Sequence, residues 1–160
     1  MPLAMDDDRV ELACFEVRGQ LFGIDVQQIR EIVRSQVVTP LPKAPGLIEG
    51  VIDLRGTIVP VIDLGRALCG EPSGKGTRAR IAIVEVEGMV FGLRVDAAAD
   101  VLAVAGRDVD APPALVAQAG YDAVRAVVRR EGAGPALVLS LEHLLESVYR
   151  SALPVPADGG

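Results

Sequence analysis

The sequence predicts an all-β protein with short helices, built from two similar halves. Half of its 160 residues are hydrophobic but only 3% are aromatic, so Val, Ile, Leu and Ala must build the core. Branched aliphatic residues of this kind favour strands. Apolar runs of strand length recur along the chain and are separated by short turns that contain glycine. An internal repeat indicates that the second half copies the first.

Elements of the first half follow from this pattern. Five apolar runs are predicted strands, at residues 10–17, 21–26, 32–38, 46–54 and 57–62. Turns at Gly19-Gln20 and Arg55-Gly56 join two pairs of these strands into hairpins. Asp25 and Asp63 precede short helices predicted at 26–29 and 64–68, because a carboxylate accepts hydrogen bonds from the free backbone amides of a first helical turn.

The second half repeats this order. Four further runs are predicted strands, at residues 81–86, 89–95, 124–129 and 136–139. A short helix is predicted at 115–119, and Ser140 is predicted to cap a helix that ends near Tyr149. Between the halves, Gly70–Arg80 is rich in glycine, proline and charge and is predicted to be an exposed, flexible linker.

The internal repeat is visible when residues 15–33 are aligned with 84–102. Six of the nineteen positions are identical, against about one or two expected by chance. The identical pairs include Phe22 with Phe91 and Gly23 with Gly92. We therefore expect one domain at 10–150. It contains a first subdomain at about 10–69 and a second at about 81–150, with interchange near the termini.

Composition excludes several functions. The net charge of −6 argues against a nucleic-acid binder, which needs clustered Lys and Arg. The first nine residues carry three aspartates and do not resemble a secretion signal, so they are expected to be disordered, as is the tail at 151–160. No apolar run reaches the length of a membrane span, and the expected location is the cytoplasm. Cys14 and Cys69 have no metal or redox spacing and are expected to be free, buried thiols.

No catalytic constellation is apparent. The single histidine, His143, has no partner motif, and the segment around Lys75 departs from the spacing of a phosphate-binding loop. Glu85, Glu87, Asp96 and Asp100 lack the spacing of a calcium loop and are interpreted as a solvated strand face. The sequence therefore predicts a protein that is not an enzyme and that needs no metal or cofactor.

Two stretches resemble the CheW-like domain family. They are Phe15–Val26, continued by Ile29–Ile32, and Pro45–Leu64 with its Leu-Arg-Gly turn and Val-Pro-Val-Ile-Asp-Leu strand. The similarity spans about residues 13–147. It implies two intertwined SH3-like barrels of five strands with a helix near the C-terminus. It also implies an adaptor that couples chemoreceptor tips to a CheA-type histidine kinase at membrane-associated arrays. By itself the adaptor is expected to be a monomer, and with the kinase it is expected to form rings.

The resemblance also assigns two binding surfaces. Residues implied to contact the receptor are Glu31, Gly50, Asp53, Arg55 and Gly56. Residues implied to contact the regulatory domain of the kinase are Ile29, Val51, Val95, Asp96, Val101 and Leu102. The plainer interpretations stay open: Arg55 pairs locally with Asp53 or Asp63, and the aliphatic residues pack in the core.

Three departures from the family pattern leave alternatives. Many relatives carry Asn at Asp53, residues 121–127 follow the usual motif loosely, and Ala97-Ala98 replace other residues. The alternative to the adaptor of a main chemotaxis system is a CheW-like interaction module of a parallel chemosensory system with an output other than motility. An adaptor fused to a receiver domain is disfavoured, because no residues are left for the receiver. A small barrel enzyme or nucleic-acid binder lacks its polar site or basic stripe.

Overall fold

A computed structural model describes residues 9–43, 46–114 and 123–152 of the chain, with 149–152 described as backbone only. The strands are β1 (Arg9–Val17), β2 (Gln20–Asp25), β3 (Ile29–Arg34), β4 (Ile48–Leu54), β5 (Thr57–Asp63), β6 (Arg80–Val86), β7 (Met89–Val95), β8 (Ala97–Ala105), β9 (Val109–Asp110), β10 (Val124–Val128) and β11 (Ala136–Leu139). The α-helices among these residues are α1 (Leu64–Cys69) and α2 (Leu141–Ala152). Of the disordered ends predicted at 1–9 and 151–160, Arg9 begins β1 and Ala152 ends α2 instead. The rest of both ends, 1–8 and 153–160, and the predicted helix at 115–119 lie outside the described residues.

Two sheets carry the fold, and each takes strands from both halves of the sequence. One has the order β8-β1-β2-β11-β10-β9 and the other the order β3-β6-β7-β5-β4. The β1–β2 hairpin of the first half therefore lies among strands of the second half, and β6–β7 lies among strands of the first. The interchange thus involves a whole hairpin from each half, so the sequence ranges 10–69 and 81–150 do not correspond to the two sheets.

Equivalent residues of the two exchanged hairpins make equivalent strand pairings. Phe15 pairs with Phe22 in one hairpin, and Val84 pairs with Phe91 in the other. Gly23 then lies beside Val138 in a parallel pair of strands, as Gly92 lies beside Val61. These are the positions that the repeat aligns, so the repeat seen in the sequence is a pseudo-twofold repeat of structure.

Side chains of the exchanged strands point alternately to the two faces of each sheet, and the apolar side chains form three clusters. In β1, one face packs into a cluster within its own sheet, and the opposite face, with Phe15, packs into a larger cluster shared by both sheets. The second sheet encloses its own cluster around Val61 and Ile81. The shared cluster adds Leu64 from α1 and Leu141 from α2. Two small barrels fused along one apolar seam result, which agrees with the all-β class and with the SH3-like pair that was expected.

Most predicted elements are confirmed, including the caps. The Asp25 carboxylate accepts from Gln27 N at 2.9 Å above a 3-10 turn, and Ser140 Oγ accepts from His143 N at 3.2 Å at the start of α2. Strand β3 begins three residues earlier than predicted, because Ile29 already pairs with Val84 of β6. Strand β8 has no counterpart among the predictions, since it begins with three alanines and an aspartate and its branched residues, Val101 and Val104, come only in its second half.

The prediction that 70–80 is an exposed linker is wrong for its centre. Ser73 and Gly74 are buried, and the Asp63 carboxylate binds both Ser73 N at 3.0 Å and Ser73 Oγ at 2.7 Å. Asp63 also caps α1 by accepting from Arg66 N at 3.2 Å. Gly74 N donates to Asp96 Oδ1 at 2.6 Å. One buried carboxylate thus ties the connection between the halves to the end of β5.

The two thiols differ. Cys14 is buried as predicted, and burial raises the pKa of its thiol. Cys69 is exposed, contrary to the prediction, because it ends α1 on the side away from the core, where only the opposite face with Leu64 is covered.

We predict that Asp63→Ala lowers the free energy of unfolding by about 2–4 kcal/mol, because it removes the cap of α1 and leaves the buried backbone amide of Ser73 without an acceptor. Urea denaturation measures the change. Asp100→Ala is the matched control, since this exposed carboxylate has no side-chain partner within the described residues, and it should leave the free energy almost unchanged. Equal losses in the two variants would contradict the structural role of Asp63.

Candidate functional site

The β4–β5 turn presents Arg55 outward in a fixed conformation. Arg55 and Gly56 have φ angles of 51° and 88°, as a two-residue hairpin turn that follows the twist of its strands requires. The Asp53 carboxylate, at the end of β4, accepts from Gly56 N at 2.8 Å and holds the turn. An asparagine oxygen can accept the same bond, so the aspartate found here changes the charge of the turn without changing this contact.

Glu31 lies on β3, at one edge of its sheet, and forms an ion pair with Arg55 of the turn that follows β4, the strand at the other edge. The hydrogen bond from Arg55 to Glu31, together with the charge of Glu31, raises the pKa of the Arg55 guanidinium above its already high usual value. The Arg55 side chain remains 68% exposed. Its partner is therefore neither Asp53 nor Asp63, the local partners considered from sequence: Asp53 binds the turn, and Asp63 is buried against Ser73.

A groove of about 330 Å³ lies beside this pair. Its polar rim contains Arg30, Glu31, Arg55 and Thr57, and aliphatic side chains of β4, β5, β6 and β7 form the rest of its lining. Arg30 is itself paired with Glu85 at 2.8 Å. The groove thus combines an apolar lining with an exposed cation on a rigid turn, which is a combination typical of a protein-binding site.

Gly50 belongs to this region through its backbone. It is buried, and a Cβ atom at this position would lie 2.2 Å from the carbonyl oxygen of Thr39. Its neighbour Val51 exchanges two backbone hydrogen bonds with Thr39, at 2.8 and 2.9 Å. Gly50 therefore permits the segment before β4 to cover this strand, and it presents no side chain to a partner.

The six residues expected on the kinase side do not form one patch. Ile29 and Val51 are half-buried and lie on β3 and β4, the opposite edge strands of the five-stranded sheet. Val101 and Leu102 lie together on β8 of the other sheet. Val101 is 55% exposed, and Leu102 packs partly against the core of its barrel. Of the members that reach the surface, Val101 and Leu102 are the two that adjoin each other on one strand.

Val95 and Asp96 both make contacts within the fold. Val95 is fully buried in the shared apolar cluster, because it continues the inward face of β7. The Asp96 carboxylate accepts from two backbone amides, Gly74 N at 2.6 Å and Arg18 N at 2.6 Å. The expectation that Val95 touches a partner is corrected, because it packs in the seam. Asp96 is half-buried and fixes two loops, and its contact with a partner stays a prediction.

The pseudo-twofold repeat relates the two candidate surfaces. Strands β3 and β8 occupy equivalent edges of the two sheets, and the alignment of the repeat places Asp100 at the position of Glu31. It also places Val101 at the position of Ile32, and both aliphatic side chains are exposed, by 55% and 43%. In the part of the chain that the structure describes, each barrel therefore carries an exposed apolar position on an edge strand of its sheet.

The sequence analysis missed one buried polar residue, Arg94 at the end of β7. Its guanidinium pairs with Glu49 through Nε at 2.9 Å and donates to Ser35 Oγ at 2.8 Å. It also donates to the carbonyl oxygens of Gly74 and Gln36. The signal was present, since one arginine interrupts an otherwise apolar strand, and a charge in such a position needs several partners.

Within the described residues, no group of His, Cys, Asp and Glu side chains is arranged to hold a metal ion. No helix in that part of the chain is long and apolar enough to cross a membrane. The four carboxylates interpreted as a solvated face have separate surroundings: Glu85 pairs with Arg30, Asp96 binds backbone amides, and Glu87 and Asp100 are exposed.

Comparison with known proteins gives consistent matches. The model of the CheW-like domain matches residues 11–149. A chemotaxis protein CheW of Treponema pallidum is 33% identical over 151 residues, covering 92% of this chain and 88% of that protein. One of Rhizobium meliloti is 34% identical, covering 89% and 91%. The crystal structure of the scaffolding protein TtCheW of Thermoanaerobacter tengcongensis superposes with a TM-score of 0.75 at 31% identity, covering 84% of this chain and 86% of that one.

We predict that Gly50→Ala costs about 1–3 kcal/mol of unfolding free energy, because the added methyl group collides with the Thr39 backbone. Hydrogen exchange of the Val51 amide should accelerate more than that of amides in the opposite sheet. Gly134→Ala is the control, since no atom lies within 4 Å of the position that its added methyl group would occupy. Unchanged exchange at Val51 would show that the strand tolerates the methyl group.

Proposed function

The chain belongs to the CheW-like domain family, and from this premise we propose that it is a non-catalytic adaptor that couples chemoreceptor tips to a CheA-type histidine kinase. The protein works in the cytoplasm, beside receptor arrays at the membrane. The function requires two surfaces that are occupied at the same time, one for each partner. Family membership over residues 11–149 supports the role, and the two barrels offer a surface each.

The receptor surface that we propose is the end of the barrel around the β4–β5 turn. Glu31, Asp53, Arg55 and Gly56 meet there, and Gly50 shapes the strand behind them. The single observation that carries this assignment is the exposed Arg55 guanidinium, which is held by Glu31 on a rigid turn. A planar fork of this kind donates to carboxylates or to carbonyl oxygens at the end of a helical hairpin.

For the kinase we propose the β8 edge, centred on Val101 and Leu102. An exposed aliphatic side chain on an open strand edge favours contact with another protein. Val95 and Asp96 support this surface from behind, through the seam and the loop contacts. Ile29 and Val51 lie in the other barrel and, in this proposal, make a second contact of the kind that a ring of alternating adaptors and kinases needs.

The receptor surface is tested by Arg55→Glu in co-sedimentation with receptor-containing membranes, with kinase autophosphorylation followed in the same samples. The variant should lose receptor binding by at least about tenfold, since a charge-assisted contact becomes a repulsion. Activation of the kinase is then lost as well. The isolated variant should keep its thermal midpoint, because the pair with Glu31 is exposed.

Arg78→Glu is the matched control, since Arg78 is a similarly exposed arginine paired with a glutamate, Glu16, at 3.3 Å. It should bind receptor membranes like the wild type. If both variants lose binding equally, general charge repulsion accounts for the loss and the assignment of the turn is wrong. If wild type recruits the kinase and Arg55→Glu does so equally well, the receptor surface lies elsewhere.

The kinase surface is tested by Val101→Glu. This variant should weaken binding to the isolated regulatory domain of the kinase, by about tenfold or more in a titration, because a charge replaces an apolar contact. Its affinity for receptor membranes should stay unchanged. Val37→Glu places the same charge on an exposed aliphatic residue outside both proposed kinase contacts, and equal weakening of kinase binding by both variants would contradict the choice of β8.

A further inference from the structure

A second pocket lies away from the β4–β5 turn, where the two halves of the chain meet. It has a volume of about 430 Å³. The start of β4, helix α1, the segment after α1 and the end of β7 line it, and its polar side chains are Glu49, Asp63, Arg66, Ser73, Lys75 and Arg94. Neither of the two proposed partner surfaces includes these side chains.

The walls of this pocket are fixed by buried contacts. Ser73 is bound to Asp63, and Gly74 N to Asp96. A Cβ atom on Gly74 would lie 2.3 Å from Cγ of Arg94, and one on Gly65 would lie 2.5 Å from the carbonyl oxygen of Glu71. The segment after α1 therefore packs against β7 and α1 with no room for a side chain. A ligand that enters finds the wall already formed, which lowers the entropic cost of binding.

Some of the charged side chains on these walls have protein partners and others have none. The Asp63 carboxylate accepts from Ser73 and from Arg66 N, and Glu49 pairs with Arg94. Arg94 in turn has four protein partners. The side chains of Arg66 and Lys75, both exposed, have no hydrogen-bond or ionic partner among residues 9–43, 46–114 and 123–152. The Glu49 charge is offset by Arg94, and the Asp63 oxygens are occupied by neutral donors. Two cations unpaired within that part of the chain are left in the lining, which has three cations and two carboxylates in all.

We infer that this pocket binds an oxyanion, a carboxylate or phosphate group, between Arg66 and Lys75. A guanidinium fork binds either group through two parallel hydrogen bonds, and the ammonium group of a lysine adds a second, movable charge. The cations of the lining outnumber its carboxylates by one, so the local charge is positive although the chain as a whole carries a charge of −6. The site does not depend on the proposed function, and the anion can be free or part of a protein.

The test uses the full chain and follows backbone amide resonances of Ser73, Gly74 and Lys75. One titration adds inorganic phosphate, with sodium chloride at matched ionic strength as the blank, because salt screens surface charges without a site. A second titration adds a short peptide of glutamates. Saturable shifts at these amides support the site, and comparison of the two ligands distinguishes a free anion from carboxylates carried by a protein.

Arg66→Gln and Lys75→Gln should each lower the affinity for whichever of the two ligands binds more tightly by about tenfold, which is the loss typical of one charged hydrogen bond. Arg34→Gln is the control, since it removes one positive charge from an exposed position outside the pocket. Thermal midpoints establish that all three variants are folded. Absence of saturable shifts with both ligands, or equal weakening by Arg34→Gln, would overturn the inference.

Discussion

The exchange of two equivalent hairpins is the constraint on which the rest of the structure depends. Each hairpin places one face in the barrel of the other half and its opposite face, with Phe15 or Phe91, in the shared seam. Neither half can then bury its apolar residues alone, and the two barrels cannot turn independently. The chain connecting them must also run in a fixed path, which explains why Asp63 and Asp96 bind its backbone.

A rigid pair of barrels suits a protein whose work is to hold two partners in a fixed geometry. The candidate surfaces lie at a hairpin turn and at an edge strand, where side chains can contact a partner without being taken from the hydrophobic core. Arg55 needs only a turn and one acid to be oriented, and Val101 needs only an edge that is not paired. The same rigidity shapes the anion pocket, because the segment that carries Lys75 is held next to Arg94.

Local signals in the sequence predicted the strands, the glycine turns and the caps at Asp25, Asp63 and Ser140. The same signals failed where long-range pairing decides the structure. Strand β8 exists because β1 offers it a partner along its length, although its alanines favour no strand. Ser73 is buried because a carboxylate ten residues earlier binds it, which composition cannot reveal. For the site, resemblance pointed to Glu31 and Arg55, but only the packing distinguished Val95 in the core from Val101 on the surface.

The central claim, that one chain holds two partners at once, is tested most directly by sedimentation velocity. The measurement mixes the protein with a receptor cytoplasmic fragment and the regulatory domain of the kinase, each carrying a different absorbing label. The account predicts one species that contains all three components, with affinities for each partner that are not reduced by the other. Two separate binary complexes that compete for the protein would contradict it, because the surfaces would then overlap.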